Sequence, residues 1–368
     1  MNFEDLVSLV GEGGAVTLCG LAVGLAFGGL AQRSRFCMRS AVVEFSRGQI
    51  GPKLAIWLLA FAAAIVGTQG LILTGVLDVS NARQLTGQGS LSGALIGGLM
   101  FGGGMVLARG CASRILVLSA TGNLRALVTG LILTIVAQSS LRGILSPFRG
   151  WLAGLWTVSG DSTRDLSALL GLSTVTPVLI GLAILVLALV LAVRHRVSPW
   201  VIAGTIGVGL MIMAGWLVTY TVSMQSFNPV AVKSISFIGP SADTLMGLID
   251  HPELPLVFDL GLVPGVFAGS FLAALLGRDL RMQSFNIEEN TMPRYIIGAI
   301  LMGFGGMLAG GCAVGAVMTG GSVFSLTAFV AMAAMWAGGG LTDLLFDRRR
   351  QAVPKAAEYV TGNGIPAR

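Results

Sequence analysis

Residues 97–114 read GGLMFGGGMVLARGCASR, and 201 positions later residues 298–315 read GAILMGFGGMLAGGCAVG. Each is a glycine-rich apolar run that stops at Gly-Cys-Ala. Eight of the eighteen aligned positions are identical: Gly97, Gly102, Gly104, Leu107, Ala108, Gly110, Cys111 and Ala112 match Gly298, Gly303, Gly305, Leu308, Ala309, Gly311, Cys312 and Ala313. The match marks a duplicated unit, and the character of the run fixes the solvent around it. Comparable runs fall at about 14–32, 53–77, 89–108, 123–141, 175–193, 199–219, 258–277, 294–309 and 324–346. Most approach the roughly 20 residues a helix needs to cross a bilayer core.

The whole composition agrees. The chain is 54% hydrophobic and 11% charged, whereas a soluble domain carries about 25% charged residues. Too few polar side chains remain to cover a water-facing surface. A membrane barrel would instead show alternating segments of about 10 residues. The sequence therefore predicts an all-α polytopic membrane protein. The first run follows Glu4, Asp5 and Glu12 rather than a basic stretch, so it is expected as a retained helix and not a cleaved signal. The 53 glycines suit helices that approach closely or break within a membrane.

Positive charge orients such a chain. The clusters RHR at 194–196, RDLR at 278–281 and DRRR at 347–350 are expected in the cytoplasm, and the acidic N-terminus and 250–259 outside. Nine crossings, N-terminus periplasmic and C-terminus cytoplasmic, satisfy that assignment. Arg142 and Arg149 then fall on the outer side, so 142–172 is expected as an interfacial excursion. The organisation reads as an N-terminal half-repeat (1–172), a C-terminal half-repeat (173–346) and a cytoplasmic tail (347–368). Because the two cysteine-bearing runs enter from opposite sides, the halves are expected to be inverted, with the substrate site near the midplane.

Four apolar runs are broken: by QRSRFC at 32–37, RGCASR at 109–114, SMQSFNP at 223–229 and GGCAVG at 310–315. Non-helical backbone at membrane depth is tolerated only where protein buries it or it lines a cavity. The breaks are thus four candidate pieces of one internal site, with Gly110, Gly310 and Gly311 supplying turn freedom. Of four cysteines, Cys19 lies inside a continuous run and reads as packing, while Cys37, Cys111 and Cys312 stand at breaks. No CxxC occurs and the only histidines are His195 and His251, which excludes a recognisable zinc site. No GxxxxGK[ST] occurs, which argues against ATP-driven transport by this chain alone.

Arg33, Arg35 and Arg39 flank Cys37, Arg109 and Arg114 flank Cys111, and Lys233 follows the third break. Cationic groups inside membrane segments mark functional sites, and arginine favours anions. Arg33, Arg35, Arg109, Arg114 and Lys233 are therefore the expected anion-recruiting residues, while Arg39 and Arg114 read equally well as interfacial anchors. The arginine-bearing cysteine turn is expected on the outer side and the glycine-bearing turn on the inner side. Gln32, Gln225 and Asn228 are candidate polar contacts. Spaced thiols beside positive charge suit a soft, sulfur-bearing anion. The same thiols also fit a persulfide relay, a disulfide, or mere packing in a non-specific anion channel. Glu44, Asp343 and Lys233 are titratable, but each lies near a predicted boundary, where solvation explains them.

The stretches AQRSRFCMRSA, GGGMVLARGCASR and GFGGMLAGGCAVGA resemble the YeeE/YedE family of bacterial inner-membrane proteins, over about 14–346. The family includes thiosulfate uptake transporters and members associated with sulfur or selenium metabolism. The resemblance implies nine spanning helices plus short re-entrant ones, in two pseudo-symmetric halves forming an hourglass. It implies that Cys37, Cys111 and Cys312 line the narrow path and pass thiosulfate along by transient S–H···S contacts. It also implies a TusA-like sulfur-carrier protein at the cytoplasmic mouth; no cofactor is expected.

Overall fold

The structure, a computed structural model, describes residues 3–80, 82–160, 163–226, 230–250, 256–280, 282 and 292–348. Helices α1 (Phe3–Ser34), α2 (Met38–Ser46) and α3 (Pro52–Leu73) lead to the single turn α4 (Arg83–Thr86) and strand β1 (Gly89–Ser90). Helices α5 (Leu91–Leu107), α6 (Ala112–Ala120) and α7 (Leu124–Leu141) follow, then α8 (Ser146–Gly154), β2 (Thr157–Val158) and α9 (Leu166–Leu169). The rest comprises α10 (Thr176–Arg194), α11 (Pro199–Gln225), α12 (Ile238–Asp250), α13 (Phe258–Leu276) and α14 (Met292–Leu308). A π-helix (Ala313–Thr319), α15 (Gly320–Ser322), α16 (Leu326–Thr342) and a second π-helix (Asp343–Arg348) complete it.

Among the described residues, nine helical segments are long and apolar enough to cross a membrane. They coincide with the nine apolar runs, and the protein is an all-α polytopic membrane protein. Each expected break separates helices: α1 from α2, α5 from α6, α11 from α12, and α14 from the π-helix Ala313–Thr319.

Glycine sets how these helices touch. A Cβ on Gly97 would lie 2.5 Å from the Gly305 carbonyl oxygen, and one on Gly104 would lie 2.7 Å from that of Gly298. The register runs oppositely along α5 and α14, so the two are antiparallel and in backbone contact. Helices α1 and α13 run parallel through a double ladder: Gly20, Gly24 and Gly28 abut the backbone of Phe258, Leu262 and Val266, while Gly261, Gly265 and Gly269 abut Thr17, Leu21 and Leu25. Small residues four apart are the membrane solution for close packing, because lipid supplies no hydrophobic drive between helices.

The contacts come in matched pairs. Helix α1 packs on α13 as α11 packs on α3; α5 on α16 as α14 on α7; α6 on α7 as the π-helix Ala313–Thr319 on α16. Likewise α2 packs on α3 as α12 packs on α13, and α10 stands outside the scheme, lying along α3. Exchanging the two sets of helices maps each of these paired contacts onto the other.

The excursion after α7 is anchored to the rest of the protein rather than loose. β1 and β2 pair antiparallel, Gly89 with Val158 and Ser90 with Thr157, and the buried Arg164 donates to the carbonyl of Gly87 and to Thr327 Oγ1. α8 leaves Phe148 and Trp151 exposed, the apolar edge of a short helix at a membrane boundary. The two arginines placed awkwardly by charge have local partners: Arg142 pairs with Asp243 at 3.5 Å, and Arg149 Nε donates to the Ser140 carbonyl at 2.7 Å.

The first two residues of the expected tail continue a helix. Asp347 and Arg348 belong to the π-helix that continues α16, and both are tied to the body. Asp347 pairs with Arg294 at 2.7 Å and Arg39 at 3.7 Å, and Arg348 donates to the Ser46 carbonyl at 3.0 Å. One residue turn earlier, the fully buried Asp343 accepts from Arg47 at 2.8 and 3.0 Å. Three of these contacts draw the chain back onto α2 and its C-terminal end and the fourth onto α14, which local composition does not encode.

Candidate functional site

All three break cysteines take the same local position. Cys37 precedes α2, Cys111 precedes α6 and Cys312 precedes the π-helix Ala313–Thr319, each in extended backbone. Two residues before each thiol the chain turns left-handed: Arg35 at φ 52°, Arg109 at φ 55° and Gly310 at φ 84°. A left-handed non-glycine residue costs about 1 kcal/mol or more, so two of three turns keep arginine against the backbone preference. Gly311 (φ 156°) uses its freedom as expected. Gly110 does not: Arg109 has already made the turn, and Gly110 instead gives room to Ile115, whose Cγ1 would lie 3.2 Å from an added Cβ.

The thiols are buried among their own breaks. Cys111 is 0% exposed, Cys312 1% and Cys37 7%, while Cys19 is half-buried in α1. Cys37 Sγ lies 4.0 Å from Cys111 Sγ, across 74 residues of sequence. Cys111 Sγ is also 3.3 Å from Ser113 Oγ. Cys312 Sγ is held differently, accepting from the Gly315 amide at 3.4 Å. α6 and the π-helix that follows Cys312 touch each other, so the two Gly-Cys-Ala turns face one another from opposite ends of the α5–α14 crossing. The sequence reading did not find Ser113 or the Cys37–Cys111 pair; the first had a signal in the Cys-Ala-Ser order, the second had none.

Among the described residues the cations divide into exposed and paired. Arg33, Arg35 and Arg109 are exposed. Arg114 is half-buried, and its Nη1 donates to Gln32 Oε1 at 3.3 Å, joining the second break to the first. Arg39 and Arg294 share Asp347, and Arg294 also donates to the Leu107 and Val106 carbonyls at the end of α5. Lys233 stands apart, with its ammonium 2.6 Å from Asp259. Gln225 is exposed at the end of α11, and Asn228 lies outside the described residues. Glu44 accepts from the Leu54 amide at 2.8 Å and so caps α3; like Asp343 and Lys233 it has a structural partner.

Placement of these cations corrects one expectation. Arg109 follows α5 where that helix meets the start of α14, at Arg294, and Arg33 lies beside Gly277 at the end of α13. Both turns that carry arginine therefore open on the face that holds Asp343–Arg348, whereas Cys312 and Lys233 belong to the opposite half. An outer arginine turn and an inner C-terminus cannot both hold, because α5 crosses the molecule before its break. Among the described residues no group of three or more His, Cys, Asp or Glu could hold a metal.

Nine apolar spans among the described residues, packed around buried thiols at broken helices and with exposed arginines on one face, define a solute transporter of the membrane. The class has a family: a model described as sulphur transport matches residues 33–341, and the chain belongs to that family. Its relatives include the thiosulfate transporter TsuA of Escherichia coli K12, 26% identical over 328 residues (82% of this chain and 86% of the relative). The thiosulfate transporter TsuA of Spirochaeta thermophila is 28% identical over 331 residues, covering 85% of this chain and 93% of that protein.

Proposed function

We propose that this protein carries thiosulfate inward across the bacterial inner membrane, along a path that joins Cys312 to the Cys37–Cys111 pair. The observation that carries the reading is the 4.0 Å approach of two buried thiols from different breaks, beside the exposed Arg33, Arg35 and Arg109. Arginine attracts an anion, and a thiol, a weak donor and weak acceptor, is matched to a soft, sulfur-bearing one. Two relatives bearing the name of thiosulfate transporters support the same substrate.

The two halves are inverted repeats in this reading, supported by the 201-residue motif match and by the exchange of helix contacts between the two sets. The C-terminal face is cytoplasmic, because Arg47, Lys53, Arg125, Arg194, Arg196, Arg278, Arg294 and Arg348 all sit at helix ends on it, as positive-inside asymmetry requires. Thiosulfate then meets Cys312 first, and the arginines draw it toward the inner mouth, where a TusA-like sulfur carrier would receive it. A fluorescent protein fused at the C-terminus is expected to fluoresce, and an alkaline phosphatase fused there to stay inactive; the reverse result would turn the path around.

Substrate identity is tested by growth. In a strain stripped of its own sulfur uptake, the chain is expected to restore growth on thiosulfate, with uptake of labelled thiosulfate little reduced by excess sulfate or chloride. Equal competition by those ions would favour a non-specific anion channel. A stable mass increment on Cys37, Cys111 or Cys312 after incubation with substrate would favour a persulfide-forming transferase.

A further inference from the structure

We infer that Ser236 is a substrate-contacting residue, the hydroxyl counterpart of Cys37 that completes a thiol–hydroxyl subsite with Cys312. The inference rests on the thiosulfate reading above and assigns a residue to it that neither motif nor cysteine spacing indicates.

Contact symmetry says where to look. Cys111 meets a side chain from the break ahead of α2. The corresponding element is α12, and the residues ahead of it are Ser236 and Phe237. Phe237 is 1% exposed and packs its ring 5.2 Å from that of Phe27, so it cannot present a polar group to a path. Ser236 turns the other way. A Cβ on Gly315 would lie 2.7 Å from Ser236 Cβ and 3.2 Å from its Cα, with Ser236 Oγ nearer still. Gly315 is the residue whose amide donates to Cys312 Sγ. The hydroxyl therefore rests on the bare backbone that holds the third thiol, in a space that any side chain at position 315 would fill.

The second observation is that this hydroxyl is not employed in the fold. Its neighbours all are: Ser234 Oγ donates to the Ile212 carbonyl at 2.6 Å, Thr319 Oγ1 to Ile235 at 2.8 Å, Ser322 Oγ to Thr319 at 2.8 Å, and Thr219 Oγ1 to Lys233. These bonds satisfy carbonyls of an irregular segment at membrane depth, as burial demands. Ser236 Oγ makes no hydrogen bond among the described residues, and Ser236 is half-buried rather than sealed. A free donor in an otherwise fully committed set is available to a ligand.

Charge explains why a donor is needed here. On this side the nearby cation, Lys233, is neutralised by Asp259 at 2.6 Å, so net positive potential is weak. An anion must be held by hydrogen bonds. Thiosulfate offers one sulfur and three oxygens; Cys312 suits the sulfur and Ser236 an oxygen. The pair would read both ends of the ion, while Cys37 and Cys111 present two thiols.

Ser236→Ala is expected to raise the half-saturating thiosulfate concentration for uptake about tenfold or more, the usual loss for a hydrogen bond to a charged group, at unchanged protein yield. In purified protein, the thiosulfate concentration that half-saturates the ligand-induced rise in melting temperature is expected to increase about tenfold in Ser236→Ala. Ser236→Cys keeps a donor of similar size and should stay within about threefold of the parent in uptake; its introduced thiol should be shielded from maleimide by thiosulfate but not by chloride. An unchanged half-saturation in Ser236→Ala overturns the inference, as does labelling of the Ser236→Cys thiol that thiosulfate does not affect. A parent protein that takes up no thiosulfate at all overturns the substrate reading itself, which is a separate result.

Discussion

Cys111→Ala is expected to abolish thiosulfate uptake, by about 100-fold or more, while the protein still inserts and accumulates. The two halves of that expectation have different physical grounds. Cys111 is 0% exposed, and its side chain ends between Cys37 Sγ and Ser113 Oγ. Alanine removes one atom and leaves a small void, which costs about 1 kcal/mol and does not unfold the protein. The transport loss is larger because the path loses one of its two paired thiols, and the nearby cation Arg114 is committed to Gln32. If Cys37 and Cys111 act as one unit, Cys37→Ala alone and the double variant should be as impaired as Cys111→Ala, since groups that act together are not additive. Cys19→Ala, in the continuous part of α1, should transport like the parent. Normal labelled-thiosulfate uptake in Cys111→Ala would end the relay reading.

Gly97→Val is expected to prevent accumulation of folded protein, a loss of about 3 kcal/mol or more. The first added carbon would lie 2.5 Å from the Gly305 carbonyl oxygen and 2.6 Å from the Ala309 amide nitrogen. Both are backbone atoms, so no rotamer change relieves the overlap; α5 and α14 must separate along their whole crossing. That crossing positions the Cys111 turn and the Cys312 turn together, and both would move. Gly29→Ala is the contrast, because its Cβ would meet nothing closer than the Gly269 carbonyl oxygen at 3.7 Å. Removing a mid-helix glycine there should be neutral or stabilise by about 0.5–1 kcal/mol. Detergent-solubilised yield and thermal unfolding of the two variants separate these outcomes; a well-folded Gly97→Val would show that the α5–α14 contact is looser than its geometry requires.

Much of the architecture is legible one segment at a time. Spanning helices announce themselves by about 20 apolar residues, and the nine runs coincide with nine spans. The breaks are equally local, since a charge or a glycine pair interrupts the run where the helix ends. Gly310 and Gly311 were readable as turn residues, and the repeat was readable because both copies retained the same glycines.

Other features needed distant partners. The reading that put arginine at the outer mouth failed because a run's entry side was taken for the side on which it breaks; α5 traverses the protein and ends beside Arg294. The expected recruiting role of Lys233 could not include Asp259, 26 residues on. The ion pairs of Asp347 with Arg39 and Arg294 likewise span parts of the chain that no local window contains.

By itself the sequence determined the solvent, the number of spans, the positions of the breaks and the presence of a cysteine in three of them. Those are properties of local polarity and backbone preference, and a window of residues contains all the information they require. Only the tertiary structure decided that Cys37 and Cys111 meet while Cys312 has Ser236 over its turn, which charges are already neutralised, and which face the exposed arginines share. These depend on how closely helices approach across glycine, and that distance is set by the shapes of two surfaces far apart in the chain.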